Sequence, residues 1–346
     1  MVDEGDDAQA RPAWQGLYPW QHAIAKDVLS RRASWPQGLL VTGARGIGKR
    51  TLALNLARAL LCETPAVDGA ACGVCPSCGY VAAGQHPDLS LVEPFKFDDD
   101  GEIKLLDAIP VDRIRALTEW AELTSHRGVA KVAVIEPAHT LGVGAANALL
   151  KTLEEPPQST YFMLVTHQPG RVPPTIRSRC LRLAVPRPST AQAAAWLTER
   201  GVTDSARVLA QADGAPLLAL ALADPAAQEE RGVWLAALAK PASLPAVALA
   251  ARVETGARDE RKDRLGQVID WLVAWTSDLA RVVSGGTPRR NPDFADAFAT
   301  LATTVAPAAL FRYHRSLIEQ RVLVAHPLSQ RLVAETLLFA YRDLFR

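Results

Sequence analysis

Gly43-Ala44-Arg45-Gly46-Ile47-Gly48-Lys49-Arg50-Thr51 follows the apolar run Leu39-Leu40-Val41 and leads into a helix-like segment that ends near Leu61. A strand, a glycine-rich turn and a helix N-terminus in that order offer backbone N–H groups and a lysine to a polyphosphate, and glycines admit the close approach that side chains would block. The spacing of Gly43, Gly46, Gly48 and Lys49 is that of a P-loop. The next position, where Ser or Thr would put a hydroxyl on Mg²⁺, is Arg50, and Thr51 comes one residue later. Two readings stay open: a turn kept for strand-to-helix geometry, or a site that still binds nucleotide through Lys49 and the glycines.

Around this stretch the chain alternates strands and helices. Leu89–Val92, Lys131–Ile135, Tyr161–Val165 and Cys180–Leu183 read as four further strands separated by helical segments. Continuous apolar strands spaced by helices predict a parallel sheet covered on both faces. Residues 1–186 are expected to form this α/β domain, after a frayed start over residues 1–16 and a helix carrying Ile24, Val28 and Leu29. Beyond Pro186-Arg187-Pro188 no strand pattern appears. Short helices broken at Asp213-Gly214-Ala215-Pro216 predict a small helical domain over 187–240, and longer amphipathic helices predict an all-α domain over 241–346. The clearest of these places Leu265, Val268, Ile269, Leu272, Thr276, Leu279 and Val283 on one stripe and ends at Gly285-Gly286. A last pair is expected at Leu310–Val324 and Leu328–Leu344.

Composition narrows the function classes. With 346 residues, 49% of them hydrophobic, the chain can bury several cores. A formal net charge of +1 argues against autonomous, tight DNA binding and against adhesion to acidic membranes. The acidic, polar N-terminus and the lack of a long apolar run predict a cytoplasmic protein.

Cys62, Cys72, Cys75 and Cys78 are spaced Cys-x9-Cys-x2-Cys-x2-Cys between the P-loop helix and the second strand. Four thiolates in one short segment suit a closed tetrahedral Zn²⁺ site with metal–sulfur distances of about 2.3 Å, which leaves no open position for catalysis. The segment 62–88 is too poor in apolar residues to fold alone, so a structural metal, worth about 10–16 kcal/mol for zinc, would order it. Residues 63–71 carry acidic groups and no Lys or Arg, which does not suit phosphate contacts and speaks against a nucleic-acid-binding finger. Cys180 is read as a small buried residue at a strand start.

In a working P-loop ATPase the strand Lys131–Ile135 would end in Asp-Glu, one carboxylate on Mg²⁺ and one polarising the attacking water. This chain has Glu136-Pro137, so Glu136 keeps one carboxylate and Pro137 removes the base. Two other stretches stand out: the helix with a charged last turn, Asn147-Ala148-Leu149-Leu150-Lys151-Thr152-Leu153-Glu154-Glu155-Pro156-Pro157, and Ser178-Arg179-Cys180 before the last strand.

Together with His86-Pro87-Asp88 and Ile109–Arg115, these motifs resemble the clamp-loader branch of the AAA+ proteins, over roughly residues 17–220. The resemblance implies an α/β AAA+ (RecA-like) P-loop domain with a four-Cys zinc module, a helical lid and an all-α collar. It implies a subunit that works with gamma/tau and delta subunits, and through the complex with a sliding clamp and primed DNA, away from membranes. It further implies that Arg179 is an arginine finger acting in trans on ATP held by a neighbouring subunit. Thr166 matches the first sensor position, and Leu217 stands where ATP-hydrolysing relatives carry a sensor arginine. Arg50, Pro137 and Leu217 together predict a chain that is no enzyme by itself, and the resemblance implies an accessory subunit of a DNA polymerase III holoenzyme. The alternative, an active gamma/tau-type ATPase, shares the cysteine module and Ser178-Arg179-Cys180 but fails at those three positions.

Overall fold

A computed structural model describes residues 15–97, 103–321, 324 and 329–346. The frayed start expected over 1–16 falls almost wholly outside them, as does the connection between the last two expected helices. Two compact units are present, one ending at Gln192 and one beginning at Ala193, so the seam falls in the first turn of a helix rather than after 186.

The first unit is built on a five-stranded parallel sheet. In chain order it runs α1 (His22–Leu29), β1 (Gly38–Thr42), α2 (Lys49–Leu61), α3 (Pro76–Ala82), β2 (Leu89–Val92), the short strands β3 (Phe95–Phe97) and β4 (Ile103–Leu105), then α4 (Val111–Glu122). It continues through β5 (Lys131–Ile135), α5 (Val143–Glu154), β6 (Thr160–Thr166), α6 (Pro174–Arg177) and β7 (Leu181–Ala184). The spatial order is β2-β5-β6-β1-β7. Leu39 lies beside Met163 and Leu181, Val132 beside Tyr161, and Leu89 beside Val132. β1, β5 and β6 are central and almost fully buried, which is why they read as unbroken apolar runs. β7 is an edge, and its Leu181 is exposed.

α2 covers the sheet at β5 and β6 and buries Leu52, Leu56 and Leu60 at helical spacing. On the sheet, Leu40, Ile135 and Phe162 share a core with Ile114 and Leu117 of α4 and Leu149 of α5. The antiparallel pair β3–β4 was not expected, because three-residue strands are too short to show a period.

The second unit is helical: α7 (Thr190–Thr198), α8 (Ser205–Gln211), α9 (Pro216–Leu222), α10 (Pro225–Leu238), α11 (Ala246–Val253), α12 (Arg258–Val283), α13 (Ala295–Ala302), α14 (Pro307–Gln320) and α15 (Gln330–Arg342). The segments 187–240 and 241–346, expected as separate domains, are joined here. Trp234, Leu235 and Leu238 of α10 belong to the same buried cluster as α11, α12, α14 and α15. Buried indole and phenol groups need partners, and they supply the tie. Trp275 Nε1 donates to Tyr341 Oη at 2.8 Å, and Tyr341 Oη donates to the Leu238 carbonyl at 2.8 Å. In α12, Leu265, Val268, Ile269, Leu272, Thr276 and Leu279 are all buried, as their stripe requires. No helix among the described residues is long and apolar enough to cross a membrane.

Candidate functional site

The turn after β1 enters α2 through Gly48, whose φ of 82° is left-handed and whose added Cβ would lie 2.5 Å from the Tyr18 ring. Only glycine fits that position. The turn is also clamped from outside: Trp20 Nε1 donates to the Ile47 carbonyl at 2.9 Å, and Gln21 Nε2 donates to the Gly48 carbonyl at 2.6 Å. Lys49 is buried, its Nζ donates to the Ala44 carbonyl at 2.5 Å, and burial lowers its pKa to about 8. Gly43–Lys49 thus forms a tight glycine turn between β1 and α2, with the Lys49 ammonium held by the turn's own Ala44 carbonyl. Thr51 lies one residue further along α2 and is half-buried.

The metal side of the loop is different. Arg50 makes a two-pronged ion pair with Glu93, its Nη2 donating to Oε2 at 3.1 Å, and its Nη1 lies 3.6 Å from Glu136 Oε2. Burial pushes the Glu136 carboxyl up, while the Glu93 hydrogen bonds raise Arg50. Beside them, Thr166 at the end of β6 has its Oγ1 3.0 Å from His139 Nδ1 and accepts the Gln168 N–H at 3.0 Å. His139 and His167 meet edge to face at 4.4 Å between ring centroids, and burial pushes both down to about 4, so both are neutral at pH 7. Pro137 leaves the strand end without the second carboxylate that a hydrolytic site uses.

The four cysteines converge. Cys62 ends α2, Cys75 caps α3, Cys78 lies within α3, and all four Sγ atoms are within 4.8 Å of one another. Cys62 to Cys75 is 3.9 Å and Cys72 to Cys78 is 4.0 Å, close to the edge of about 3.8 Å in a tetrahedron with 2.3 Å metal–sulfur bonds. The thiols have no common proton affinity of their own. A hydrogen bond from Thr64 brings Cys72 down to about 6, while burial pushes Cys78 up to about 12. A cation at the centre is what would let all four ionise together. The donor set fits a metal ion.

The module is tied down on two sides. Gly69 has a φ of 81°, and a Cβ there would come 2.7 Å from the Leu29 carbonyl of α1. Glu63 accepts from Ser77 Oγ at 2.7 Å and from Arg127 Nη2 at 2.7 Å. Asp88 of His86-Pro87-Asp88 accepts the N–H groups of His126 at 2.8 Å and Arg127 at 2.9 Å.

Arg179 sits on the exposed turn between α6 and β7. Its Nε donates to Glu154 Oε1 at 2.7 Å, its Nη2 also bonds Glu154, and its Nη1 donates to the Thr175 carbonyl at 2.9 Å. Glu154 is the last residue of α5, so the structure joins the two motifs, residues 147–157 and 178–180, through one ion pair. Cys180 is half-buried just before β7, and burial pushes its thiol up to about 11. Leu217 is half-buried on α9 of the second unit.

Sequence reasoning missed Glu93 and His167 and gave Glu154 no individual part. Glu93 had one weak signal: like Glu136, it directly follows an apolar strand. That the two strands are neighbours is not written in either.

A glycine-rich turn at the carboxyl edge of a parallel sheet ordered β2-β5-β6-β1-β7, a four-thiol module after its helix and an arginine just before the edge strand make up the P-loop-type α/β fold that the resemblance implied. A family model described as DNA polymerase III, delta subunit matches residues 23–189. The DNA polymerase III subunit delta' of Pseudomonas aeruginosa is 36% identical over 269 residues, 77% of each chain, and that of Escherichia coli K12 is 33% identical over 302 residues, 85% of each chain. The chain belongs to the DNA polymerase III delta' family. A shorter match, 38% identical over 143 residues, covers 41% of this chain and 20% of the E. coli DNA polymerase III subunit tau.

Proposed function

We propose that this chain is the non-hydrolysing subunit of a replicative clamp loader, a cytoplasmic protein that works beside gamma/tau and delta subunits to place a sliding clamp on primed DNA. Its own P-loop is retained without hydrolysis. Arg179 then acts in trans on ATP bound by a neighbouring gamma/tau-type subunit, where a finger arginine accelerates phosphoryl transfer by about 10³–10⁵. The observation that carries this reading is Arg179 on the exposed turn before the edge strand, ion-paired with the surface carboxylate of Glu154, in a chain whose own strand end has Pro137 in place of the base.

Reconstitution of the loader with and without this chain tests it. Arg179→Ala should preserve assembly and lower the DNA-stimulated ATPase, and the isolated chain should turn over no ATP. Unchanged loader activity with Arg179→Ala would remove the finger, and Mg²⁺-dependent turnover by the isolated chain, lost in Lys49→Ala, would make it an ATPase.

We read the ion of the four-thiol site as structural Zn²⁺, because four sulfur ligands complete its shell. Metal analysis should return zinc equimolar with protein, and chelation should expose the thiols and lower the Tm. Zinc-free protein with four freely reactive thiols contradicts the assignment.

A further inference from the structure

A divalent cation beside a P-loop polyphosphate would sit where the first turn of α2 faces the carboxyl ends of the strands. The residues there do not fit one. Glu93 follows β2 and Glu136 follows β5, and the pairing of Val92 with Ile135 sets them next to each other. The Arg50 guanidinium occupies the space that two such carboxylates would otherwise offer to a metal, bonded to Glu93 by both prongs and 3.6 Å from Glu136 Oε2. That Oε2 atom is buried and accepts no hydrogen bond, and the charge of Arg50, ahead of that of Lys49, offsets its carboxylate.

We infer that Arg50 is a tethered substitute for the divalent cation of this P-loop, so that the loop presents itself to a nucleoside triphosphate or other polyphosphate as a metal-independent site. A planar guanidinium suits two carboxylates and, being covalently attached, cannot be diluted away. A hard dication entering the same space would meet a like charge at short range and two carboxylates already engaged. Thr or Ser at position 50 would remove the guanidinium, free both acids and restore the hydroxyl. The inference rests on the non-hydrolysing reading above, gives the retained loop a ligand class, and is independent of Arg179.

The test titrates a fluorescent ATP analogue into the full-length chain with Mg²⁺ present or omitted. Omission replaces chelation, which would strip the four-thiol module. Mg²⁺ should leave wild-type affinity unchanged or weaken it, whereas Arg50→Thr should bind at least about tenfold more tightly with Mg²⁺ than without. Arg50→Lys, which keeps a cation, should stay insensitive to metal. Where binding is too weak to titrate, the Mn²⁺-dependent rise of Tm in the presence of ATP, present in Arg50→Thr and absent from wild type, is the readout. Arg50→Ala, which also frees both acids, stands in if the Thr variant does not fold. Wild-type binding strengthened by Mg²⁺, or variants that gain no metal response, would overturn the inference. The isolated chain remaining without ATPase activity in that outcome leaves the proposed function standing.

Discussion

Arg50 and Arg179 both grip glutamates, and their side chains are about equally exposed, at 34% and 32%. The acids differ. Glu93 and Glu136 are 28% and 23% exposed and sit at the ends of adjacent strands, whereas Glu154 is 47% exposed on the last residue of a helix. The same chemical pair is therefore a lock at the sheet edge and a loose latch on the surface. Exposed ion pairs contribute about 0–1 kcal/mol, so Arg179 can leave Glu154 at little cost. Arg50 cannot leave without stranding two carboxylates, one of them withdrawn from water.

Four measurements break or sharpen this contrast. The largest effect is expected at Arg179. Arg179→Lys keeps the charge but loses the planar fork, and should forfeit most of an acceleration of about 10³ in the reconstituted ATPase while Tm stays unchanged. Full activity with lysine would reduce the latch to a surface charge.

The dry side should show itself next, through pH. His139 and His167 have folded pKa values depressed to about 4 from 6.5, so the unfolded chain takes up protons first as pH falls. Stability is therefore lost on acidification from 6.5 towards 4, by about 2 kcal/mol per histidine at a pH of about 5. Urea unfolding at neutral and acid pH reads this, and His139→Gln should flatten the dependence.

Arg50→Ala should cost about 1–3 kcal/mol, the penalty of leaving a partly buried acid unpaired. Glu136 has a raised folded pKa, so the native state takes up its proton first and the cost should shrink as pH falls through that value. A cost below about 0.5 kcal/mol at neutral pH would make Arg50 equivalent to an ordinary surface residue.

The smallest effect belongs to Glu154→Gln, with a stability change under about 1 kcal/mol and loader ATPase no lower than wild type. A loss as large as that of Arg50→Ala would mean that Arg179 is held for structure.

Much of the first unit was legible because its signals are local. β1, β5 and β6 are central strands and read as continuous apolar runs; β3 and β4 are too short to do so. The cysteine spacing announced a four-thiol cluster because all four residues fall in one short segment, and the first turn of α3 brings Cys75 and Cys78 together. The expected boundary at 240 fell inside a core because Trp234 and Leu238 look like any helix residues until Tyr341 is seen to bond the Leu238 carbonyl.

By itself, the sequence determined the P-loop turn, the missing hydroxyl and base, the four-thiol module and the exposed arginine before the last strand, since each is written within a few residues. Only the tertiary structure decided what the two arginines hold. Glu93 lies 43 residues from Arg50, and Glu154 lies 25 residues from Arg179. Such pairs follow from strand order and register, which arise when separate apolar runs collapse into one sheet. No stretch of chain encodes its own neighbours there.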